Sequence, residues 1–209
     1  MSDSKIGLLG AGGQAREIAS FFGPEKVAFS AVDQRYLNSR VGGLVDIDTE
    51  VPSLMEIPVI GAVGEPRLRR SLVSRWKGDQ YANVIAGTFI STSDVKLGSG
   101  VLIAPGSVVT VGSELGDHTH INIGATISHD CSIGIFSSVG PGAHLGGNVT
   151  LGSDCLIGMG AVIRQGVTIC SDVLVGAGSV VTRDIKEPGV YAGTPARLVF
   201  SGPNWSAFR

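Results

Sequence analysis

The segment Ser128-His129-Asp130-Cys131 sets an imidazole beside a carboxylate. An imidazole titrates near neutrality, so it can take a proton from an attacking nucleophile and give it back. A neighbouring acid can orient the ring and favour the imidazolium. His129 with Asp130 therefore reads as a general base and its orienting partner. A second chemistry-bearing stretch is Gly10-Ala11-Gly12-Gly13-Gln14-Ala15, which fits G-x-G-x-x-A, with Asp33 about twenty residues on. Glycines there let the backbone approach a diphosphate, and a following helix offers free N–H groups. Gly10, Gly12, Gly13 and Gln14 are thus candidates to hold phosphate, and Asp33 to hydrogen-bond a ribose or a base. Cys131, Cys155 and Cys170 are odd in number and form no CxxC, which points to reduced thiols in a cytoplasmic protein.

Composition narrows the frame that must position these groups. The 209 residues include 31 glycines; 43% are apolar and only 16% charged, with a net charge of −2. That is too apolar for a disordered chain, and the glycines lack the every-third spacing of collagen. The basic residues are scattered apart from Arg67, Arg69 and Arg70, so nucleic-acid binding is not favoured. No apolar run is long enough for a membrane span, and no signal-peptide core opens the chain.

A six-residue ruler organises the second half. Stepping by six from Leu97 to Val181 meets fifteen positions, all Leu, Ile or Val. Two places before each stands a Val, Ser, Thr, Ala or Cys, and Gly often follows, as at Gly98, Gly134 and Gly158. Neither the helical period of 3.6 nor a plain alternation generates this. Short strands ending in turns do, three to a coil of eighteen residues, with aliphatic residues stacked inside. The pattern resembles the hexapeptide-repeat, left-handed parallel β-helix, here of about five coils over 85–186. The segment 187–209 leaves the ruler and is expected to cap the last coil or fold back along it. His129 falls two places after the inward Ile127, in an outward column that reads Val111, His129, Gly147, Gln165, Arg183. Adjacent coils lie about 4.8 Å apart, so Gly147 should sit beside the His129 ring. Cys131 and Cys155 occupy inward positions and make poor nucleophiles.

Residues 1–84 form a separate domain. Strands are expected at Lys5–Leu9, Ala28–Val32, near Pro58–Ile60 and at Ala82–Ile85, with helices over 14–22 and 65–76. This is a small parallel sheet, an α/β Rossmann-like half domain too short for a complete dinucleotide fold. One nucleoside diphosphate group is preferred over a dinucleotide.

Together the halves resemble the bacterial family of sialic-acid O-acetyltransferases and nucleotide-amino-sugar N-acetyltransferases. The residues that carry the resemblance are the Gly10–Gly13 loop, Asp33, Asn122, Ser128 to Cys131, Gly146-Gly147 and Gly193-Thr194-Pro195-Ala196-Arg197. It implies a homotrimer using acetyl-CoA, with active sites between neighbouring solenoids and a nucleotide-sugar substrate held by the N-terminal domain. His129 would then deprotonate an amine that attacks the thioester directly, and the side-chain-free Gly147 would leave room for that thioester and offer an oxyanion N–H. The resemblance also assigns Asn122 to the sugar or the ring; Gly147, Met159 and Ala177 are expected to line acetyl-CoA, and Arg183, three coils beyond His129 in the same column, or Arg197 from the tail, to meet a CoA phosphate. Gln14 and Ser138 stand where the family often has His. The expected activity is N-acetylation of a nucleotide-linked amino sugar, such as a 4-amino-4,6-dideoxyhexose, for surface glycans. Alternatives are O-acetylation of a sialic-acid-type sugar and a non-catalytic nucleotide-sugar scaffold. A zinc solenoid enzyme is set aside because the four histidines lack the required wide spacing; no metal is expected.

Overall fold

The computed structural model describes residues 5–37, 43–85, 94–203 and 205. It divides into two compact units, Met1–Val84 and Ile85–Arg209.

In the first unit a central strand β1 (Ile6–Leu9) enters helix α1 (Gly13–Phe22), which returns to β2 (Val27–Val32). Strand β3 (Leu44–Asp46), the short helix α2 (Pro52–Met55), β4 (Val59–Gly61) and helix α3 (Pro66–Arg75) follow. The sheet is parallel throughout, in the order β3-β2-β1-β4. β1 and β4 are wholly buried, which is why they read as continuous apolar runs rather than alternating ones. α3 starts where the Glu65 carboxylate accepts from the N–H groups of Arg67 and Leu68, with Pro66 at the first helical position. β3 and α2 escaped the sequence reading because three and four residues carry no period. The expected strand at Ala82–Ile85 is shortened to Val84–Ile85 and is an end strand of a solenoid sheet; Tyr81 alone bridges to Val59 of β4.

The second unit is built from two-residue strands on three faces. The first face carries Leu102–Ile103, His120–Ile121, Ser138–Val139, Leu156–Ile157 and Val173–Val175. The second carries Val108–Val109, Thr126–Ile127, His144–Leu145, Val162–Ile163 and Val180–Val181. The third carries Lys96–Leu97, Glu114–Leu115, Ser132–Ile133, Thr150–Leu151 and Thr168–Ile169. Each strand pairs in parallel with the one eighteen residues on, as Ile127 with Leu145 and Leu145 with Ile163. With the hexapeptide repeats, these stacked parallel sheets make a left-handed β-helix. The ruler residues form its core, nearly all of them fully buried.

Two further rows explain the rest of the hexad. At the corners, Ser107, Ser113 and Ser137 donate their hydroxyls to Asn122 O, Ser128 O and Gly152 O, each fifteen residues ahead. Cys131 and Cys155 do the same with their thiols, to Gly146 O and Cys170 O at 3.2 Å. The small residue thus ties one coil to the next. Three places after every ruler residue except the last, Val181, the chain turns through a left-handed conformation, usually at Gly but also at His118, Asp130, Phe136, Asn148, Asp154 and Asp172. The segment after the ruler extends the first-face sheet: Gly189–Ala192 pairs in parallel with Val173–Val175, and Arg197–Ser201 pairs antiparallel with Gly189–Ala192. Asn204 and residues 206–209 of that segment lie outside the described residues.

Candidate active site

His129 projects at the corner between the second and third faces, and its side chain is 48% exposed. Its Nδ1 lies 2.8 Å from Asp130 Oδ2. Neighbours in sequence rarely meet this way on a strand, where side chains alternate. They meet here because Asp130 occupies the left-handed turn position, φ 59°. With Nδ1–H donating to the carboxylate, Nε2 keeps its lone pair for a proton.

Gly147, one coil later, is buried, and a Cβ placed on it would lie 2.3 Å from His129 Nε2 and 2.5 Å from Cε1. The room that the bare residue leaves is therefore taken by the imidazole itself. The gap expected to receive a thioester is filled by the His129 ring in this structure. Among the described residues the Gly147 N–H donates to no backbone carbonyl. A third member was missed in the sequence. Gly112, one coil before Asp130, would carry a Cβ 2.4 Å from Asp130 Oδ1. The same step of eighteen that led to Gly147 would have found it.

The other assigned residues divide between corners. Asn122, Met159 and Ala177 follow first-face strands and stand at the corner between the first and second faces. Asn122 Oδ1 accepts from the N–H of Ile123 at 2.7 Å, while Met159 is 62% exposed. Within one chain they share no corner with His129, and the second face lies between. Arg183 does share the His129 column, and it lines a cavity of about 260 Å³ with Arg197, Asp184, Tyr191 and Leu198. The structure thus brings Arg183 and Arg197 together, three coils from His129 or roughly 14 Å at the usual spacing.

Three histidines behave otherwise. His118 and His120 are buried at 7% and 1% exposure. The His118 ring stacks on Phe136 one coil on, with centroids 4.5 Å apart, and occupies the space a Cβ on Gly100 would need. His120 lies on the first face between Leu102 and Ser138, both buried. His144 is exposed on the second face, its Nδ1 2.9 Å from Thr126 Oγ1. Among the described residues no three His, Cys, Asp or Glu side chains are gathered as metal ligands. All three cysteines are free, and burial pushes the Cys155 thiol up to about 12 and raises that of Cys131.

The first unit holds its own cavity, of about 400 Å³, at the carboxyl ends of β1 and β2. Gly10, Gly12 and Asp33 line it with Ala11, Arg35, Tyr36 and Leu68. Gly13 and Gln14 begin α1 and are not among its walls. Gln14 Oε1 instead lies 3.3 Å from where a Cβ on Gly64 would stand. Among the described residues no side chain caps α1, and its first turn holds no acid, which favours an anion at its amino end.

Comparison with known proteins gives the arrangement a context. The family model described as bacterial transferase hexapeptide (six repeats) matches residues 133–165 and 148–183. PerB from Caulobacter crescentus, solved with CoA and GDP-perosamine, is 32% identical; the match covers 94% of this chain and 98% of that one, with a TM-score of 0.83. The chain belongs to the bacterial hexapeptide transferases. This hexapeptide transferase is also similar to the acetyltransferase domain of PglB from Neisseria gonorrhoeae FA1090, at 30% identity over 93% and 99% of the two chains and a TM-score of 0.82. That domain has also been solved with acetyl coenzyme A, at 29% identity, 95% and 100% coverage and a TM-score of 0.81. No curated protein matches the hexapeptide transferase in sequence. No helix among its described residues is long and apolar enough to cross a membrane.

Proposed function

We propose that this hexapeptide transferase is an acetyl-CoA-dependent N-acetyltransferase of a nucleotide-linked amino sugar, acting in the cytoplasm on precursors of surface glycans. The observation that carries the reading is the His129–Asp130–Gly147 constellation on a solenoid corner, in a chain similar over nearly its whole length to PerB with CoA and GDP-perosamine. The parallel 3-2-1-4 sheet with its glycine turn is a Rossmann-like half, and it holds the nucleotide.

In the reaction the sugar amine attacks the thioester carbonyl while His129 Nε2 takes its proton, and Asp130 stabilises the imidazolium. The carbonyl oxygen gains charge and accepts from the Gly147 N–H; as the intermediate collapses, the CoA thiolate leaves and takes the proton from the His129 imidazolium, which returns the base to its neutral form. No acyl-enzyme forms, because the two buried thiols are held neutral and tied into corners. Arg183 and Arg197 meet CoA phosphates.

The site is completed by a second copy. Asn122, Met159 and Ala177 occupy a different corner from His129, so a neighbouring solenoid supplies them across the second face in a homotrimer of about five coils. The decisive experiment assays acetyl-CoA turnover with 4-amino-4,6-dideoxyhexoses on UDP, GDP, dTDP and CMP, and with free sialic-acid-type sugars. N-acetylation of one nucleotide-linked amine, lost in a folded His129→Ala variant, supports the reading; turnover of the sialic-acid hydroxyl alone would replace it with O-acetylation.

A further inference from the structure

Arg75, the last residue of α3, reaches two carboxylates at the ends of neighbouring strands. Its Nη1 lies 2.5 Å from Oδ1 of Asp33, just past β2, while Nε and Nη2 grip both oxygens of Asp48, just past β3, at 3.0 and 2.5 Å. A planar guanidinium held at two points by one carboxylate has little freedom to turn, so it fixes the other. Asp33 is only 22% exposed and lines the same cavity as the glycine turn. Its second oxygen, Oδ2, makes only a long ion pair with the exposed Arg35, 3.6 Å to Nη2 and beyond hydrogen-bond range, so its lone pairs can still accept. One oxygen is therefore clamped, and the other remains an acceptor on the cavity wall.

A carboxylate accepts and cannot donate, so it needs hydroxyl or N–H partners. If a diphosphate rests on Gly10 to Gly12, the next group along a nucleotide is the pentose, and it arrives at Asp33. A ribose brings two adjacent hydroxyls and a 2′-deoxyribose one. The outer end of the cavity, with Tyr36 and the apolar Leu68 and Leu72, suits a flat base without demanding one pattern of donors. We infer that Arg75, braced on Asp48, is a positioning residue that holds Asp33 to read a vicinal diol, so that the site takes ribonucleoside diphosphates over their 2′-deoxy counterparts. This rests on the nucleotide reading above.

The test is calorimetric titration of the full-length protein with UDP, dUDP, GDP and dGDP. For whichever base binds better, the ribonucleotide should bind at least about tenfold tighter, the size expected of a hydrogen bond to a charged acceptor. Asp33→Asn, Arg75→Ala and the exposed Asp48→Asn should each bring that ratio close to two, with acetyl-CoA affinity unchanged as the check on folding. Arg75→Lys keeps a charge without the two-point grip and should fall between. Tight but equal binding of ribo and deoxy forms overturns the diol reading and leaves the nucleotide reading standing. A preference that survives Arg75→Ala and Asp48→Asn overturns the positioning role. Turnover of a free amino sugar, with no nucleotide bound, removes the reading on which both rest.

Discussion

A base on a β-helix corner needs something to lean on, and here that is the absence of a side chain. Gly147 does not lie in the left-handed region, so space and not conformation requires glycine there. Other solenoid glycines, such as Gly146 and Gly134, are required because a Cβ would strike the backbone of the next coil. Gly147 alone among these three is required by an imidazole. Gly147→Ala should therefore fold, displace the ring and lower kcat/KM by about 10²- to 10⁴-fold, the usual contribution of a general base. Because the two residues act as a unit, His129→Ala with Gly147→Ala should cost no more than either alone, which steady-state kinetics on the three variants would check. The column arithmetic made the His129–Gly147 juxtaposition legible in the sequence. It did not reveal which group fills the gap, because that depends on the rotamer of His129 and on the left-handed turn at Asp130. The His118 ring packs over Gly100 and on Phe136, partners eighteen residues away on either side.

At the scale of the elements, the ruler was readable because stacked coils repeat one environment every six residues, so the period survives in a single chain. The first unit was less so, since strands such as β3 are defined by partners far away in sequence. Corner chemistry shows what the repeat asks for. Cys131 and Cys155 donate where other hexads use serine, so Cys131→Ser and Cys155→Ser should retain activity and melt within a few degrees of the parent. Neither buried thiol should be labelled by iodoacetamide at pH 8 in the native protein, because burial raises both thiols, that of Cys155 to about 12, and shields them from the reagent. In the first unit the Arg75 guanidinium holds the Asp48 carboxyl below its ordinary 3.8. A depressed acid stabilises the fold above its unfolded pKa, and that contribution fades as pH falls through the lowered value. Thermal melts below about pH 4 should therefore lose stability more steeply in the parent than in Asp48→Asn.

For the whole molecule, the separation of corners is the main constraint. The third face is polar, with a Lys96–Glu114 ion pair, whereas the second presents Val108, Val162 and Val180 with Thr126 and His144. Val162 is 40% exposed, and Val162→Glu should split the assembly, seen by light scattering, and abolish turnover together with it. Mixed assemblies give a sharper check. Co-expressed His129→Ala and Asn122→Ala chains, each inactive alone, should recover about a quarter of the parent activity, because random mixing regenerates that share of intact shared sites. No recovery would mean that each protomer is self-sufficient.

The stacking register also turns length into a whole number. His129 and Arg183 share one column, so the span from imidazole to guanidinium can change only in steps of a full turn, about 4.8 Å each. Excising eighteen residues between them would leave every inward contact in phase and, on the function proposed above, present a cradle one notch too short for its thioester, so carrier length would be gauged in whole turns.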